Sequence, residues 1–184
     1  MSNPLSKLSS LSDQDFQQLM EDHKKRVYKS TQGKEEINPS LAIAATEKDN
    51  SKKLIMCNIH FDGADQHGKE AVLMAIGAKC CVSLKIPEAV FISSAAEHHK
   101  KMIMLVAART IDGRTAITTA PLSMKKGKAS LGEFEKIQYN EALEGDIALL
   151  KLVYAGFFQT MQAMREKFAE GRALDRIQDD PSLN

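Results

Sequence analysis

The sequence predicts an α+β fold: a mixed sheet of about five or six strands with a crossover helix, and with an N-terminal helix and a long C-terminal helix packed on it. Three observations support this prediction. Apolar residues recur at steps of four and three along the last long segment, which is the spacing of one helical face. β-rich runs separated by turn residues fill the middle of the chain. An apolar helical segment, long enough for a crossover between parallel strands, separates the second run from the third.

Composition bounds the class of protein. A chain of 184 residues is long enough for one hydrophobic core, and 43% hydrophobic with 27% charged residues is typical of a soluble globular protein. The 25 basic and 24 acidic side chains give a net charge of +1, so only a local patch could attract nucleic acid or anionic lipid. There is no secretory signal and no apolar stretch of about 20 residues. Three cysteines, two of them adjacent, favour reduced thiols. These features predict a cytoplasmic protein without a membrane span.

The chain is expected to divide near residues 38 and 172. Residues 1–38 form a polar lead-in and a helical arm, residues 39–172 a single α+β domain, and residues 173–184 a polar tail. In the arm, Ser12 and Asp15 have the spacing of a capping box and predict a helix to about Ser30. The apolar face of this helix comprises Phe16, Met20, His23 and Val27.

Two strands and a buried helix are predicted at the start of the main domain. Residues 41–45 alternate in size and indicate a strand. Residues 54–61 are apolar on both faces through most of their length, which favours a central strand paired with the first as a hairpin. The helix that begins near Asp65 has Lys79 as its only charged residue between Ala71 and Val82, so it is buried on several sides or lies in a subunit interface.

A meander of further strands follows. Residues 89–92 form a short buried strand after Pro87, and residues 102–108 form another. Asp112-Gly113 is the signature of a tight hairpin turn with positive φ at both positions. It leads into a strand at 115–120 that Pro121 closes, and residues 130–137 add an edge strand.

The last helix carries the strongest periodic signal in the chain. A helix from residue 143 to 168 would be about 40 Å long, whereas a typical strand spans about 17–20 Å. Part of this helix therefore needs another partner, and self-association through it, or through the helix between Ala71 and Val82, is the expected interaction. The apolar stripe consists of Leu143, Ile147, Leu150, Tyr154, Phe157, Met161, Met164 and Phe168.

One cluster of side chains has the chemistry of a metal site: His60, Asp62, Asp65 and His67. Two imidazoles and two carboxylates at the end of a strand could hold a divalent metal, whose bound water would support hydrolysis. The competing interpretation is a helix N-cap, because Asp62 or Asp65 is the residue type that begins a helix. The cap is favoured, and no cofactor is expected.

Short basic turns form a second candidate site. His98 and His99 precede two lysines, and Arg109 and Arg114 flank the Asp-Gly turn. Aromatic residues are only 5% of the chain and none lies among these basic residues, so stacking platforms for single strands are missing and solvated loops are favoured. The lysines of a nucleic-acid interface would be Lys100, Lys101, Lys125, Lys126 and Lys128.

Other catalytic signatures are missing from the sequence. It contains no Gly-rich phosphate loop and no Gly-x-Ser-x-Gly nucleophile elbow. Cys80 and Cys81 fall in the apolar helix, and Cys57 and His60 would point to opposite faces of a strand, so packing is the favoured role for the thiols.

Residues 87–97, Pro-Glu-Ala-Val-Phe-Ile-Ser-Ser-Ala-Ala-Glu, are followed by an apolar strand, an Asp-Gly-Arg hairpin and Pro121. This pattern over residues 54–125 resembles a loose group of small bacterial and phage α+β proteins. The resemblance supports the fold and implies no particular activity. The leading hypothesis is a non-enzymatic, homo-oligomeric accessory or regulatory protein. The alternatives are a metal-dependent hydrolase and a nucleic-acid-associated factor.

Overall fold

The computed structural model describes residues 11–46, 52–59 and 65–178, and its architecture is the predicted α+β class. The helices are α1 (Asp13–Thr31), α2 (Gln66–Val82) and α3 (Lys151–Gln178), with a 3₁₀ helix at Gly145–Leu150 leading into α3. The strands are β1 (Ser40–Thr46), β2 (Lys52–Asn58), β3 (Ile86–His98), β4 (Lys101–Thr110), β5 (Thr115–Lys125), β6 (Lys128–Leu131) and β7 (Gln138–Tyr139).

The sheet has the strand order β2-β1-β3-β4-β5-β6, with β7 paired to β5, and every pairing among the described residues is antiparallel. The crossover helix α2 does connect two strands that run in the same direction, β2 and β3, but β1 lies between them. The expected parallel pairing of a mixed sheet is therefore not formed.

The predicted central position of residues 54–61 is wrong, because β2 is an edge strand. It is apolar on both sides since helices cover both faces of the sheet at this edge. Leu54 packs in the core on the α1 side, whereas Ile55 and Cys57 pack in the core on the α2 side.

Helices on both faces give the molecule three layers. On one face, Phe16 and Met20 of α1 pack against Phe91 and Met104 of the sheet. On the other face, α2 and α3 cover Ile43, Val90 and their neighbours. The side chains of α1 thus share a hydrophobic core with the sheet.

Local signals at α1 are confirmed. The Ser12 hydroxyl accepts a hydrogen bond from the Asp15 amide at 3.0 Å, which caps the helix as predicted. Arg114 then fixes this end of α1 to the β4–β5 hairpin. Its guanidinium donates to the Asp13 carboxylate at 2.7 Å and to the Leu11 carbonyl at 2.8 Å, and it lies 5.8 Å from the centre of the Phe16 ring.

The hairpin at Asp112-Gly113 is confirmed, but only Gly113 has positive φ (+94°). Its amide donates to the Thr110 carbonyl at 3.0 Å, so the turn is a three-residue type with a left-handed glycine at its end. Pro121 does not close β5 as expected. It pairs opposite Ile103, its carbonyl accepts from the Gly132 amide, and the strand continues to Lys125 alongside β6.

The last helix begins later than predicted. Leu143 precedes the 3₁₀ helix, and the α-helical conformation starts at Lys151 and continues to Gln178, past residue 172. The 28 residues of α3 span about 42 Å. The segment Gly145–Ala169 is apolar and long enough to cross a membrane by those two criteria alone. Leu150 and Val153 are fully buried in the protein's own core, however, and this packing is compatible with a soluble protein.

Two glycines allow α2 and α3 to touch backbone to backbone. A Cβ atom on Gly77 would lie 2.8 Å from the Phe157 amide nitrogen and closer still to the Val153 carbonyl oxygen. A Cβ atom on Gly156 would lie 2.8 Å from the Cα of Met74. Only glycine fits at either position, because real Cβ atoms do not approach backbone so closely.

Candidate functional sites

The predicted metal cluster is partly a helix cap. The Asp65 carboxylate accepts a hydrogen bond from the Gly68 amide at 2.8 Å, and the Asp65 carbonyl accepts from the Lys69 amide, so Asp65 begins α2 as an N-cap. The His67 side chain is 91% exposed, with Nδ1 at 3.8 Å from the Glu70 carboxylate. His60 and Asp62 lie outside the described residues. Within residues 11–46, 52–59 and 65–178, no group of three His, Cys, Asp or Glu side chains is placed to hold a metal ion.

The cap interpretation makes a prediction that separates it from metal binding. Asp65→Ala should lower the free energy of unfolding by about 1 kcal/mol, whereas Asp65→Ser should retain most of the stability because serine caps helices about as well as aspartate. A metal ligand would behave differently, since serine cannot replace a coordinating carboxylate at full affinity. Chemical denaturation of both variants, with and without EDTA, tests this. The cap interpretation would be contradicted if both variants lost the same free energy of unfolding and if EDTA also lowered the free energy of unfolding of wild type.

The three thiols are placed for packing. Cys80 and Cys81 are buried in α2, and Cys57 is half-buried on β2. Burial raises the pKa of each of these thiols above its ordinary value, which disfavours the nucleophilic thiolate.

Of the two predicted arginines, Arg114 is engaged in contacts within the protein. The Arg114 guanidinium is already bonded to Asp13, to the Leu11 carbonyl and, through Nε at 3.0 Å, to Asp112. Although burial opposes it, hydrogen bonds from Thr110 and Arg114 lower the pKa of Asp112, so this carboxylate stays ionised beside Arg114. Arg114 is therefore a structural clamp.

The five lysines of the second candidate site fall on two hairpin turns, between β3 and β4 and between β5 and β6. All five are exposed. The register of β4 against β5 brings both turns to the same end of the sheet, opposite the Arg114 clamp, which the sequence alone did not indicate.

Most of the predicted self-association stripe is internal. Ile147, Leu150, Tyr154 and Phe157 are buried in the protein's own core, and the Tyr154 hydroxyl donates to the Arg109 carbonyl at 2.5 Å. Leu143 and Met161 are half-buried. The helix between Ala71 and Val82 buries Leu73, Gly77, Cys80 and Cys81 against its neighbours. Its other side is exposed and includes Val72 and Val82, so burial accounts for only part of its apolar composition.

An apolar groove lies against the middle of α3, between Phe157 and Phe168, and is called here the α3 groove. It has a volume of about 520 Å³. Thr46 is in its wall, and the Oγ1 atom of this buried threonine has no hydrogen-bond partner among the described residues. Sequence periodicity found only the α3 side of this groove. The lining residues are Thr46, Cys81, Leu84, Lys85, Ile86, Phe157, Met161, Met164, Arg165 and Phe168.

A second cavity of about 460 Å³ opens near the start of α2. Lys69 and Asp146 line it and pair with each other at 2.7 Å, so α2 is tied to the 3₁₀ helix across this wall. Glu144, Ser94 and the apolar Ile92 and Leu105 complete much of the surface. Among the described lining residues, Glu144 is the one other charged side chain besides this ion pair.

Comparison with protein-family models, curated proteins and solved structures finds no match to this chain. The resemblance to small bacterial and phage α+β proteins therefore stays a prediction. Two surfaces of the fold are suited to contacts with other molecules, the apolar α3 groove and the exposed lysine turns.

Proposed function

We propose that this chain is a non-enzymatic, homo-oligomeric cytoplasmic protein with an accessory or regulatory role, and that it self-associates through the segment of α3 that lines the α3 groove. The observation that carries the proposal is the apolar surface around the α3 groove. Phe168 is 68% exposed and Leu84 is 51% exposed, and both line this groove. Large apolar side chains that gather on one surface are typical of interaction sites, whereas single ones are not.

The length of α3 explains why this surface is uncovered. Cys81, in the last turn of α2, lines the groove together with Phe157 and Met161. Beyond this level α3 continues to Gln178, while α2 has ended at Val82. Met164 and Phe168 therefore extend the apolar stripe past the helix that covers its first half.

A second copy of the chain is the partner that this surface fits best. Met161, Met164 and Phe168 repeat at the three- and four-residue spacing of a helix–helix seam. Arg165, Glu166 and Lys167 place charges of both signs beside the stripe. An antiparallel pair of such helices about a twofold axis can oppose a cation on each copy to an anion on the other, and it can seat each exposed Phe168 ring in the facing groove.

We expect a dimer or larger species that forms through the surface around the α3 groove. Wild-type protein at tens of micromolar should sediment as an oligomer, and Met164→Glu with Phe168→Glu should convert it to a monomer, because charges would be buried in the seam. Analytical ultracentrifugation measures both. Tyr28→Glu is the matched control, since Tyr28 is a large exposed side chain on α1, away from α3. A monomeric wild type, or a double variant that stays oligomeric, would refute the proposal.

A further inference from the structure

The two lysine turns meet at one end of the sheet because of the strand register. Lys101 begins β4 and Lys125 ends β5, and these strands are antiparallel partners with Ile103 opposite Pro121. The β3–β4 turn and the β5–β6 turn therefore project from the same end. This surface, called here the basic end, contains His98, His99, Lys100, Lys101, Lys125, Lys126 and Lys128.

Both turns place residues other than asparagine or glycine at positive φ, which does not favour turn stability. His99 (φ +48°) and Lys100 (φ +61°) occupy one turn, and Lys126 (φ +52°) and Gly127 (φ +76°) occupy the other. Asn and Gly are the residues that two-residue turns of this kind favour, since they tolerate positive φ. Lysine at such positions is strained, and strained non-glycine residues concentrate at functional sites.

The charge of the basic end is uncompensated. Among the described residues, none of its five lysines forms an ion pair. Within residues 95–104 and 121–131, which form the two hairpin ends, Glu97 is the one acidic residue. A strongly positive patch thus exists on a chain whose total charge is only +1, and it would attract a polyanionic surface.

Two exposed methionines beside the lysines indicate which kind of polyanion this surface would bind. Met102 is 46% exposed and Met124 is 52% exposed. Each lies two residues before or after a side chain buried on the α1 face, Met104 and Leu122, so both methionines are on that same face of the sheet. Flexible apolar side chains beside lysines suit the interface of a bilayer, where the chains enter the headgroup layer and the ammonium groups stay at the phosphates.

Nucleic acid fits the same surface less well. Residues 95–104 and 121–131 contain no arginine and no Phe, Tyr or Trp, and the two imidazoles in them, His98 and His99, contact each other at 4.1 Å between centroids. Bidentate contacts to phosphates and bases come mainly from arginine, and stacking on unpaired bases needs an aromatic ring. Exposed methionines also add nothing to phosphate recognition.

We infer that the basic end is a docking surface for membranes rich in anionic phospholipid. Lysines at the two turns supply the attraction to the headgroups, and Met102 and Met124 enter the interface. The surface lies at the end of the sheet opposite the α3 groove, so it does not depend on self-association. A monomeric variant would still carry it.

Vesicle flotation provides the test, with phosphatidylcholine vesicles that contain or lack phosphatidylglycerol as probes. Wild-type protein should float only with the anionic vesicles. Lys100→Asn with Lys126→Asn should lower the partition coefficient about 25-fold, because each lysine near an anionic surface contributes about fivefold. These asparagines tolerate positive φ, so the variant should fold at least as well as wild type. Lys136→Asn with Lys151→Asn is the control, since both lysines are exposed outside the basic end, and it should bind more tightly than the turn variant.

A second pair of variants separates lipid from nucleic acid. Met102→Ser with Met124→Ser keeps every charge, and it should weaken vesicle binding while leaving the circular dichroism spectrum unchanged. Fluorescence anisotropy with DNA and RNA oligonucleotides is run on the same proteins. Failure of wild type to float with anionic vesicles overturns the inference. So does oligonucleotide binding that needs the turn lysines, is tighter than vesicle binding, and ignores the methionine substitutions.

Discussion

Replacing Gly77 or Gly156 by alanine is expected to lower the free energy of unfolding by about 3 kcal/mol or more. The added methyl on either glycine would meet backbone atoms of the facing helix, which cannot rotate away as a side chain can. The helices would have to separate, and that would open the core around Leu73 and Val153. In an exposed helix the same substitution usually stabilises by up to about 1 kcal/mol, so the sign itself is informative.

Denaturant unfolding of the two variants and of the double variant measures this effect. Ala163→Ser is the matched control, because it adds one heavy atom at an exposed position of α3 and should change stability by less than about 0.5 kcal/mol. The double variant should lose less than the sum of the single losses, since helices already pushed apart by one methyl accommodate the second more easily. A gain in stability at Gly77 would mean that α2 and α3 are further apart than described.

Acidification is expected to destabilise the protein through His23. This side chain is 2% exposed and faces the Phe91 ring at 5.2 Å between centroids, and neither ring nitrogen has a hydrogen-bond partner among the described residues. Burial, with a smaller contribution from Arg26, lowers the pKa of His23 from 6.5 to about 4. Between these values the unfolded chain binds a proton that the folded chain does not. Stability is therefore full above pH 6.5 and falls by about 3 kcal/mol as the pH drops to 4.

His23→Leu removes the titrating group and keeps an apolar side chain under α1. The variant should be as stable as wild type or more stable at pH 7.5, because two unpartnered buried nitrogens are removed. Between pH 6.5 and 4, the free energy of unfolding of the variant should fall by about 3 kcal/mol less than that of wild type. Urea denaturation at several pH values gives both curves. His67→Leu, at an exposed histidine of α2, is the matched control. Parallel curves for His23→Leu and wild type would contradict this account.

The sequence was informative wherever the determining interaction is local. Ser12 and Asp65 cap helices through amides three residues away, and Gly113 closes a hairpin. The place of a strand in the sheet is not local information. Residues 54–58 looked central because both faces are apolar, yet two helices can cover an edge strand equally well.

The candidate surfaces likewise depend partly on local sequence signals and partly on contacts between distant parts of the chain. Periodicity found Met161 and Met164, but not Thr46 or Leu84, which reach the α3 groove from distant parts of the chain. Gly77 and Gly156 gave no signal, because a glycine in a helix acquires meaning only from the backbone that approaches it. The basic turns were visible in the sequence, whereas their meeting at one end followed only from the β4–β5 register.

The β1–β3 pairing joins two parts of the sheet that are distant in the sequence. Strands β3 to β6 pair as successive hairpins, and β1 and β2 pair as another, so these contacts join neighbours in sequence. Leu41 and Ile92, by contrast, meet across a loop that contains β2 and all of α2. Closing that loop costs conformational entropy before the β1–β3 contacts can stabilise the sheet. The sheet thus consists of two sets of pairings that are local in sequence, and we expect their joining at β1 and β3 to be slower than the formation of either set.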